Sequence, residues 1–163
     1  MHHERDASSV RAGILTMSDT RTKDDDKSGA LICSYLEGHN HDISEYRVIK
    51  DDRDAIQSVL ADWTSDDDLD VIITNGGTGI SAKDVTHQVV AGMLEKEIEG
   101  FGELFRMKSY EEIGAKAMLS RALAGVIAQT AVYVLPGSSN AVRLGMNKLI
   151  LPVLPHVVGE LRK

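Results

Sequence analysis

A glycine-rich segment carries the strongest chemical signal in this sequence. Residues Thr74 to Thr86 read TNGGTGISAKDVT and continue the apolar stretch that begins at Val71. Gly76, Gly77 and Gly79 let the backbone turn tightly and bring its free N–H groups close to a ligand, which suits a phosphate. The segment is neither a Walker A loop nor the dinucleotide fingerprint, because Gly-Lys-Ser/Thr and Gly-x-Gly-x-x-Gly are both absent. A structural turn that lets the next helix pack explains the glycines about as well.

Two acidic positions could hold a cation near that segment. Asp84 either caps the helix that follows or binds Mg²⁺, which prefers one or two carboxylates together with substrate oxygens. One of the adjacent pair Asp51 and Asp52 is expected to cap the helix that begins near Asp54, which leaves the other carboxylate free. If the strands before these residues are neighbours, the free carboxylate and Asp84 face one ligand, where a metal would relieve their repulsion. Spacing alone favours the cap for Asp84.

A third polar segment, PGSSN, covers Pro136 to Asn140. It combines a kinked loop, two hydroxyls and a helix N-terminus, which suits an anionic or polar heterocycle. Capping of the helix by Ser138 or Ser139 is an equally good interpretation of the same spacing. The segment therefore remains open between a binding loop and a helix cap.

Predicted strands precede each of these segments. The strand candidates are Val10 to Met17, Ile43 to Ile49, Val71 to Thr74 and Ala131 to Leu135. Helical patterns lie between them, and this alternation is typical of an α/β fold with a mainly parallel sheet covered on both faces. Ligands of such sheets bind beyond the carboxyl ends of the strands. We therefore expect the polar segments to meet at one edge of the sheet.

Apolar spacing predicts the helices around that sheet. One runs from the N-cap Ser28 to Gly38, and a second spans Ile56 to Trp63. The stretch from Gly100 to Gly125 is rich in helix formers and is predicted to be helical. A further helix includes Ala141 to Leu149, ends near Pro152, and is followed by a last short helix.

Length and composition favour one domain. The chain has 163 residues and no Pro/Gly/Ser-rich linker, so we expect a single domain over 1–163 with a flexible N-terminus at 1–9. The formal net charge of −7 disfavours nonspecific nucleic-acid binding, which needs many Lys and Arg contacts to phosphates. No apolar run approaches the ~18–20 residues of a membrane span, and the head MHHERDASSV is too polar for a secretory signal. We expect a cytoplasmic protein without a membrane partner.

Other reactive residue types give weak signals. The only cysteine, Cys33, lies in the apolar stretch ALICSYL, which predicts a small buried hydrophobe in a reducing compartment rather than a catalytic thiol. The histidines do not form a ligand-spaced set, so a zinc site is not predicted. The acidic clusters Asp24 to Asp26 and Asp66 to Asp68 are most simply solvated loops.

Six segments, spread in order over nearly the whole chain, resemble the MogA/MoaB family of molybdenum-cofactor biosynthesis proteins. They are GILTMSDTR (Gly13 to Arg21), DKSG (Asp26 to Gly29), TNGGTGISAKDVT (Thr74 to Thr86), GFGELFR (Gly100 to Arg106), AMLSRALAGV (Ala117 to Val126) and VLPGSSNAV (Val134 to Val142). The C-terminal LPVLPHVVGEL is closer to the MoaB branch than to the longer MogA branch.

The resemblance implies a three-layer α/β/α sandwich, the molybdopterin-binding fold, that self-associates as trimers or hexamers. In adenylylating members the terminal phosphate of the pterin attacks the α-phosphate of Mg-ATP and releases pyrophosphate. Molybdopterin would then be the substrate, ATP the co-substrate and Mg²⁺ the cofactor. A transient contact with a molybdenum-insertion protein belongs to the same expectation.

The resemblance also implies roles for individual residues. Asp51 and Asp84 match the family's aspartates and would hold Mg²⁺ as the catalytic pair. A nucleotide-phosphate cradle would consist of Gly76, Gly77, Thr78 and Gly79. Pterin contacts would come from Gly137, Ser138 and Ser139. Ser18 and Asp19 match the family's Ser-Asp after the first strand and would lie near the nucleotide.

Three positions depart from the family pattern. Lys83 stands where the signature commonly has arginine, which keeps the charge but loses a planar two-pronged donor. Lys50 and His87 stand where the MogA pattern often has proline, and Lys50 could alter the direction of the neighbouring Asp51.

The sequence is therefore consistent with two functions. The first is a Mg²⁺-dependent molybdopterin adenylyltransferase, which retention of both aspartates favours. The second is a non-catalytic molybdopterin carrier or assembly subunit of the same pathway. A receiver-like signalling domain with an acidic pocket is a weaker third interpretation, because it gives the two glycine-containing loops no purpose.

Overall fold

Strands and helices alternate along the computed structural model, which describes residues 8–65 and 67–163. The strands of the described residues are β1 (Arg11–Met17), β2 (Asp42–Ile49), β3 (Val71–Asn75), β4 (Lys96–Glu97), β5 (Leu123–Ile127) and β6 (Thr130–Leu135). The α-helices there are α1 (Lys27–Gly38), α2 (Arg53–Thr64), α3 (Thr86–Met93), α4 (Glu99–Ile113), α5 (Ser139–Leu144) and α6 (Leu154–Leu161). None of these helices is long and apolar enough to cross a membrane.

The strands form one sheet in the order β2-β1-β3-β6-β5-β4. β1 pairs in parallel with β2 and β3, and β3 pairs in parallel with β6. β5 runs antiparallel to β6, and β4 antiparallel to β5. The predicted α/β fold with a mainly parallel sheet is therefore confirmed.

Both faces of the sheet are covered. Alternate strand residues point to opposite faces, so Ile14 and Ile73 pack with α1, α4, α5 and α6, whereas Leu15 and Ile72 pack with α2 and α3. All four side chains are fully buried, and burial of an aliphatic side chain of this size contributes about 1.5–3 kcal/mol. The result is the three-layer sandwich that the resemblance implied.

The prediction that the stretch from Gly100 to Gly125 is helical was wrong at its end. α4 stops at Ile113, a 3-10 segment covers Gly114–Leu119, and β5 follows. β5 is short and apolar, and such a stretch cannot be told from a buried helix by periodicity alone. Ala128, with φ 54°, helps to form the tight turn that pairs β5 with β6.

Several helix boundaries also differ from the predictions. Asp26, not Ser28, caps α1 and accepts a hydrogen bond from the N–H of Gly29 at 3.0 Å. Asp26 is only 1% exposed, so its assignment to a solvated acidic loop was wrong. The predicted helix through Ala141 to Leu149 is interrupted, because a π-helical turn at Gly145–Ile150 follows α5. Asp66, and residues 1–7 of the predicted flexible N-terminus, lie outside the described residues.

Candidate functional site

Two of the predicted binding loops touch at the carboxyl edge of the sheet. The N–H of Gly76, just after β3, donates to the carbonyl of Leu135 at the end of β6 at 3.1 Å. A Cβ atom added at Gly137 would lie 3.3 Å from the Cα of Gly76. The parallel pairing of β3 with β6 therefore brings the GGTG and PGSSN loops side by side.

The glycines of the GGTG loop are required by both backbone shape and space. Gly76 and Gly77 have φ values of +94° and +69°, a region that side-chain-bearing residues rarely adopt. A Cβ at Gly76 would overlap the carbonyl oxygen of Met17, and a Cβ at Gly77 would lie within 3 Å of Thr86 Oγ1 and both Asp51 carboxylate oxygens. The third loop, which carries Asp51, therefore joins the other two at this edge.

Asp51 presents a buried oxygen to this junction. Its Oδ1 atom is buried and has no hydrogen-bond partner among the described residues. The neighbouring Asp52 caps α2 by accepting from the N–H of Ala55 at 2.9 Å, so the free member of the acidic pair is Asp51. Burial raises the pKa of the Asp51 carboxyl, the backbone N–H of Val85 opposes this, and the negative charges of Asp84 and Asp19 add to the rise.

Asp84 lies beside the same loop but is braced locally. Its Oδ2 atom accepts hydrogen bonds from the N–H of Ser81 at 3.2 Å and from the Ser81 hydroxyl at 2.7 Å. A Cβ added at Gly79 would come within 2.6 Å of that same oxygen. α3 begins at Thr86 after the cap residue Val85, which makes no side-chain capping bond. The interpretation of Asp84 as the cap of α3 was therefore wrong.

Ser18 and Asp19 lie at the end of β1, next to the end of β2. The N–H of Ser18 donates to the carbonyl of Ile49 at 2.8 Å, and its hydroxyl accepts from the N–H of Arg21 at 3.1 Å. Asp19 accepts from the N–H of Asp51 at 3.1 Å through Oδ1. The Ser-Asp pair is thus placed against Asp51, with the serine hydroxyl engaged in shaping its own loop.

The PGSSN loop is held from two sides. Ser138 caps α5, since its Oγ accepts from the N–H of Ala141 at 3.1 Å. The Ser28 hydroxyl at the start of α1 donates to the carbonyl of Gly137 at 2.5 Å. Ser139 is the first residue of α5 and is partly buried. The cap interpretation of Ser138 is confirmed, and it leaves a ligand role open because the loop also borders a cavity.

That cavity has a volume of about 330 Å³ and joins the two loops. Its lining includes Thr78 and Ser138 from the loops, Phe105 from α4, and Lys116 and Ser120 from the following segment. The Ser120 hydroxyl is buried without a hydrogen-bond partner among the described residues. Apolar walls, hydroxyls and one cation suit a polar heterocycle that carries negative charge.

Sequence reasoning gave no role to Thr86, Lys116 or Ser120. Thr86 and Ser120 do fall inside TNGGTGISAKDVT and AMLSRALAGV, two of the segments that resemble the family, so the resemblance could have indicated them as site residues. Lys116 precedes the second segment and has no signal of its own. The departures Lys50 and Lys83 are exposed, and His87 contacts the carbonyl of Arg121 through Nδ1 at 2.8 Å.

Comparison with known proteins places this geometry in a family. Residues 13–156 match the model of a family described as a probable molybdopterin binding domain. The chain belongs to this family. It is 50% identical over 163 residues to molybdenum cofactor biosynthesis protein B of Bacillus cereus, with 99% of this chain and 96% of that protein covered.

Solved structures of this molybdopterin-binding family share the fold. A crystal structure of molybdenum cofactor biosynthesis protein B has a TM-score of 0.92 at 52% identity and covers 94% of this chain and 96% of its own. The tungsten cofactor synthesizing protein MoaB from Pyrococcus furiosus has a TM-score of 0.86 at 35% identity, with 95% and 98% covered. The resemblance to the MogA/MoaB family, and to its MoaB branch, is confirmed.

Proposed function

We propose that this molybdopterin-binding protein transfers AMP from ATP to the terminal phosphate of molybdopterin in a Mg²⁺-dependent reaction. One observation carries the proposal: the buried, unpartnered Oδ1 of Asp51 lies against a glycine loop that also borders the cavity beside the PGSSN loop. A nucleotide phosphate and a pterin phosphate could therefore bind next to each other.

The residues at this junction fit a magnesium ion carried by a nucleotide. A carboxylate oxygen without a donor is stabilised by a cation, and the charges of Asp84 and Asp51 are close enough to affect each other. Among the described residues no three Asp, Glu, His or Cys side chains converge as a metal site. Mg²⁺ commonly takes one or two carboxylates and completes its shell with substrate oxygens and water. Mg²⁺ would supply charge neutralisation on the phosphates.

Each loop would then have a distinct task. The backbone of Gly76, Gly77, Thr78 and Gly79 would bind the nucleotide phosphates, with Ser18 and Asp19 at the side of this site. Gly137, Ser138 and Ser139 would contact the pterin at the cavity. An oxygen of the pterin phosphate forms a bond to the α-phosphorus of ATP, and the bond to the bridging oxygen breaks, so pyrophosphate leaves with the electron pair. Nucleotidyl transfer of this kind, like phosphoryl transfer, depends on positioning and charge stabilisation more than on a covalent catalyst.

The carrier function is the second candidate, and one observation favours it. Asp84 already accepts two hydrogen bonds from Ser81 on one carboxylate oxygen, which reduces its capacity as a metal ligand. A protein in which Asp84 only braces the loop would keep the pterin cavity without productive ATP chemistry.

One experiment separates the two functions. Pure protein is incubated with molybdopterin, Mg²⁺ and ATP, and the mixture is analysed for adenylylated pterin and pyrophosphate. The adenylyltransferase forms both products in equal amounts. Molybdopterin binding without either product selects the carrier.

Self-association as a trimer or hexamer is part of the same proposal. Large apolar side chains on α4 remain exposed: Leu104, Met107, Tyr110 and Ile113 retain 47%, 57%, 63% and 51% of their accessible surface. Adjacent exposed apolar residues of this size commonly mark interaction surfaces. Sedimentation velocity measures the state directly, and a protein that remains monomeric at all concentrations contradicts this part.

A further inference from the structure

A buried carboxylate, that of Asp26, lies outside the set of residues assigned to the candidate site. Asp26 Oδ2 accepts hydrogen bonds from the hydroxyls of Thr16 and Tyr46, each at 2.6 Å, and Oδ1 accepts from the N–H of Gly29 at 3.0 Å. Arg21 Nη1 lies 3.7 Å from Oδ1. Four contacts to one carboxylate that is 1% exposed make an ordered polar node inside the fold.

Hydrogen bonds connect this node to the GGTG loop. The side-chain amide of Asn75 donates to Thr16 Oγ1 at 2.9 Å, and Thr16 in turn donates to Asp26. Asn75 is the last residue of β3 and immediately precedes Gly76. The position of the phosphate-binding backbone is therefore tied to Asp26 through two side chains.

A second connection reaches the PGSSN loop. Asp26 caps α1 and fixes its first turn, and Ser28 in that turn donates to the carbonyl of Gly137 at 2.5 Å. Space around the node is tight, because a Cβ added at Gly29 would overlap Asp26 Oδ2 and lie 2.8 Å from both Thr16 Oγ1 and the Tyr46 hydroxyl. Asp26 is thus connected by hydrogen bonds to the GGTG loop through Thr16 and Asn75, and to the PGSSN loop through the first turn of α1 and Ser28.

We infer that Asp26 is a positioning residue that sets the spacing between the phosphate-binding loop and the pterin-binding loop. The inference rests on the proposed function, because it assigns the node a task in aligning the two substrates. Asp26 acts through Thr16, Asn75 and Ser28 and touches neither substrate. Each loop keeps its own ligand contacts when the node is altered, but the distance between the reacting phosphates changes.

The expected signature is a loss in kcat with little change in binding. A misplacement of about 1 Å between reacting groups can slow a reaction by roughly 10²-fold. Asp26→Asn retains the size of the side chain but places an amide among donors, so we expect kcat for AMP transfer to fall about 10–100-fold. The KM for ATP, the KM for molybdopterin and the separately measured Kd values should each stay within about 3-fold, since both sites persist.

Asp70→Asn is the matched control. Asp70 is also a buried carboxylate, 6% exposed, and it accepts from the N–H of Arg11 at 2.8 Å and from the Arg162 side chain. It lies directly before β3, at the edge of the sheet opposite the site. This variant should lose stability, yet keep wild-type kcat when measured below its melting temperature.

Two milder variants guard against misfolding of Asp26→Asn. Tyr46→Phe removes one hydrogen bond to Asp26, and Ser28→Ala removes the link to Gly137. Each should lower kcat by a smaller factor, with Kd values for the two ligands unchanged.

The outcomes distinguish this inference from the proposed function. A lowered kcat with retained Kd values in the node variants, but not in Asp70→Asn, supports it. If the wild-type protein transfers AMP and the node variants keep its kcat, the inference alone is overturned. The same holds if kcat falls in Asp70→Asn by as much as in the node variants. Wild-type protein that binds molybdopterin but transfers no AMP overturns the proposed function, and this inference with it.

Discussion

Replacement of Gly77 by alanine would place a methyl group where oxygen atoms already lie. The backbone there has φ +69°, which costs a residue with a Cβ about 1–2 kcal/mol. The methyl carbon would also lie within 3 Å of Thr86 Oγ1 and of both Asp51 carboxylate oxygens. Overpacking of this kind costs about 1–3 kcal/mol, because neighbouring groups must shift.

The two costs give Gly77→Ala a loss in unfolding free energy of about 2–5 kcal/mol. A domain of this size then loses roughly 5–20 °C in Tm. The carboxylate of Asp51 is one of the groups that must move, and displacement of a single electrostatic stabiliser slows a reaction about 10²–10³-fold. We therefore expect AMP transfer to fall by that factor even at temperatures where the variant is folded.

Gly92→Ala provides the control for this prediction. Gly92 lies in α3, and a Cβ added there meets nothing within 4 Å. Alanine in a helix is favoured over glycine by about 0.5–1 kcal/mol, so this variant should be slightly stabilised and fully active. Denaturant unfolding and the transfer assay measure both effects. Unfolding free energies of Gly77→Ala and Gly92→Ala within about 0.5 kcal/mol of each other would refute the reasoning.

Four further changes have defined outcomes. Asp84→Asn should slow AMP transfer about 10²–10³-fold with little change in Tm, and wild-type turnover would dismiss its role. Burial lowers the pKa of His41, so stability should fall as pH drops below about 6.5; His41→Gln should flatten this slope in unfolding titrations. Burial alone would raise the pKa of Asp70, but hydrogen bonds from its arginine partners outweigh it and lower the pKa. Asp70→Asn should therefore cost about 1–3 kcal/mol at pH 7, and this difference should shrink as pH falls below about 4. Burial raises the pKa of Cys33 to about 11, so its thiol should react slowly with iodoacetamide at pH 8, and Cys33→Ala should keep full activity.

The parallel part of the sheet was predictable from the sequence because its central strands are buried on both faces. Such strands appear as continuous apolar runs, and VIIT and AVYVL are of this kind. The glycine loop was equally predictable, because three of the four residues from Gly76 to Gly79 are glycines and they come shortly after a predicted strand. Convergence of the GGTG and PGSSN loops at one end of the sheet then followed from the parallel strands. The condition set for Asp51 and Asp84, that the strands before them are neighbours, was wrong, because β1 lies between β2 and β3.

Two features could not be predicted from the same patterns. β5 has the sequence LAGVI, which is too short for periodicity to separate strand from helix, and its pairing with β6 depends on a turn at Ala128. Asp26 belongs to an acidic run, and a run of like charges predicts a solvent-exposed loop. Its burial depends on donors from Thr16 and Tyr46, which only the folded sheet brings together.

Asp84 illustrates a limit of a different kind. The resemblance implies that Asp84 matches a family aspartate, but the hydrogen bonds it receives from Ser81 are a property of loop geometry. A cap, a brace and a metal ligand all use the same carboxylate, so residue type cannot separate them. Only coordinates exclude the cap.

We propose that one junction of loops binds a nucleotide and a pterin so that AMP passes between them. ATP labelled with ³²P at the α-phosphate, mixed with Mg²⁺, molybdopterin and the protein, tests it most directly. We expect the label to appear in the pterin product in proportion to pyrophosphate, and Asp51→Asn to slow this about 10²–10³-fold. Label that stays in ATP while the wild-type protein holds molybdopterin would contradict the account.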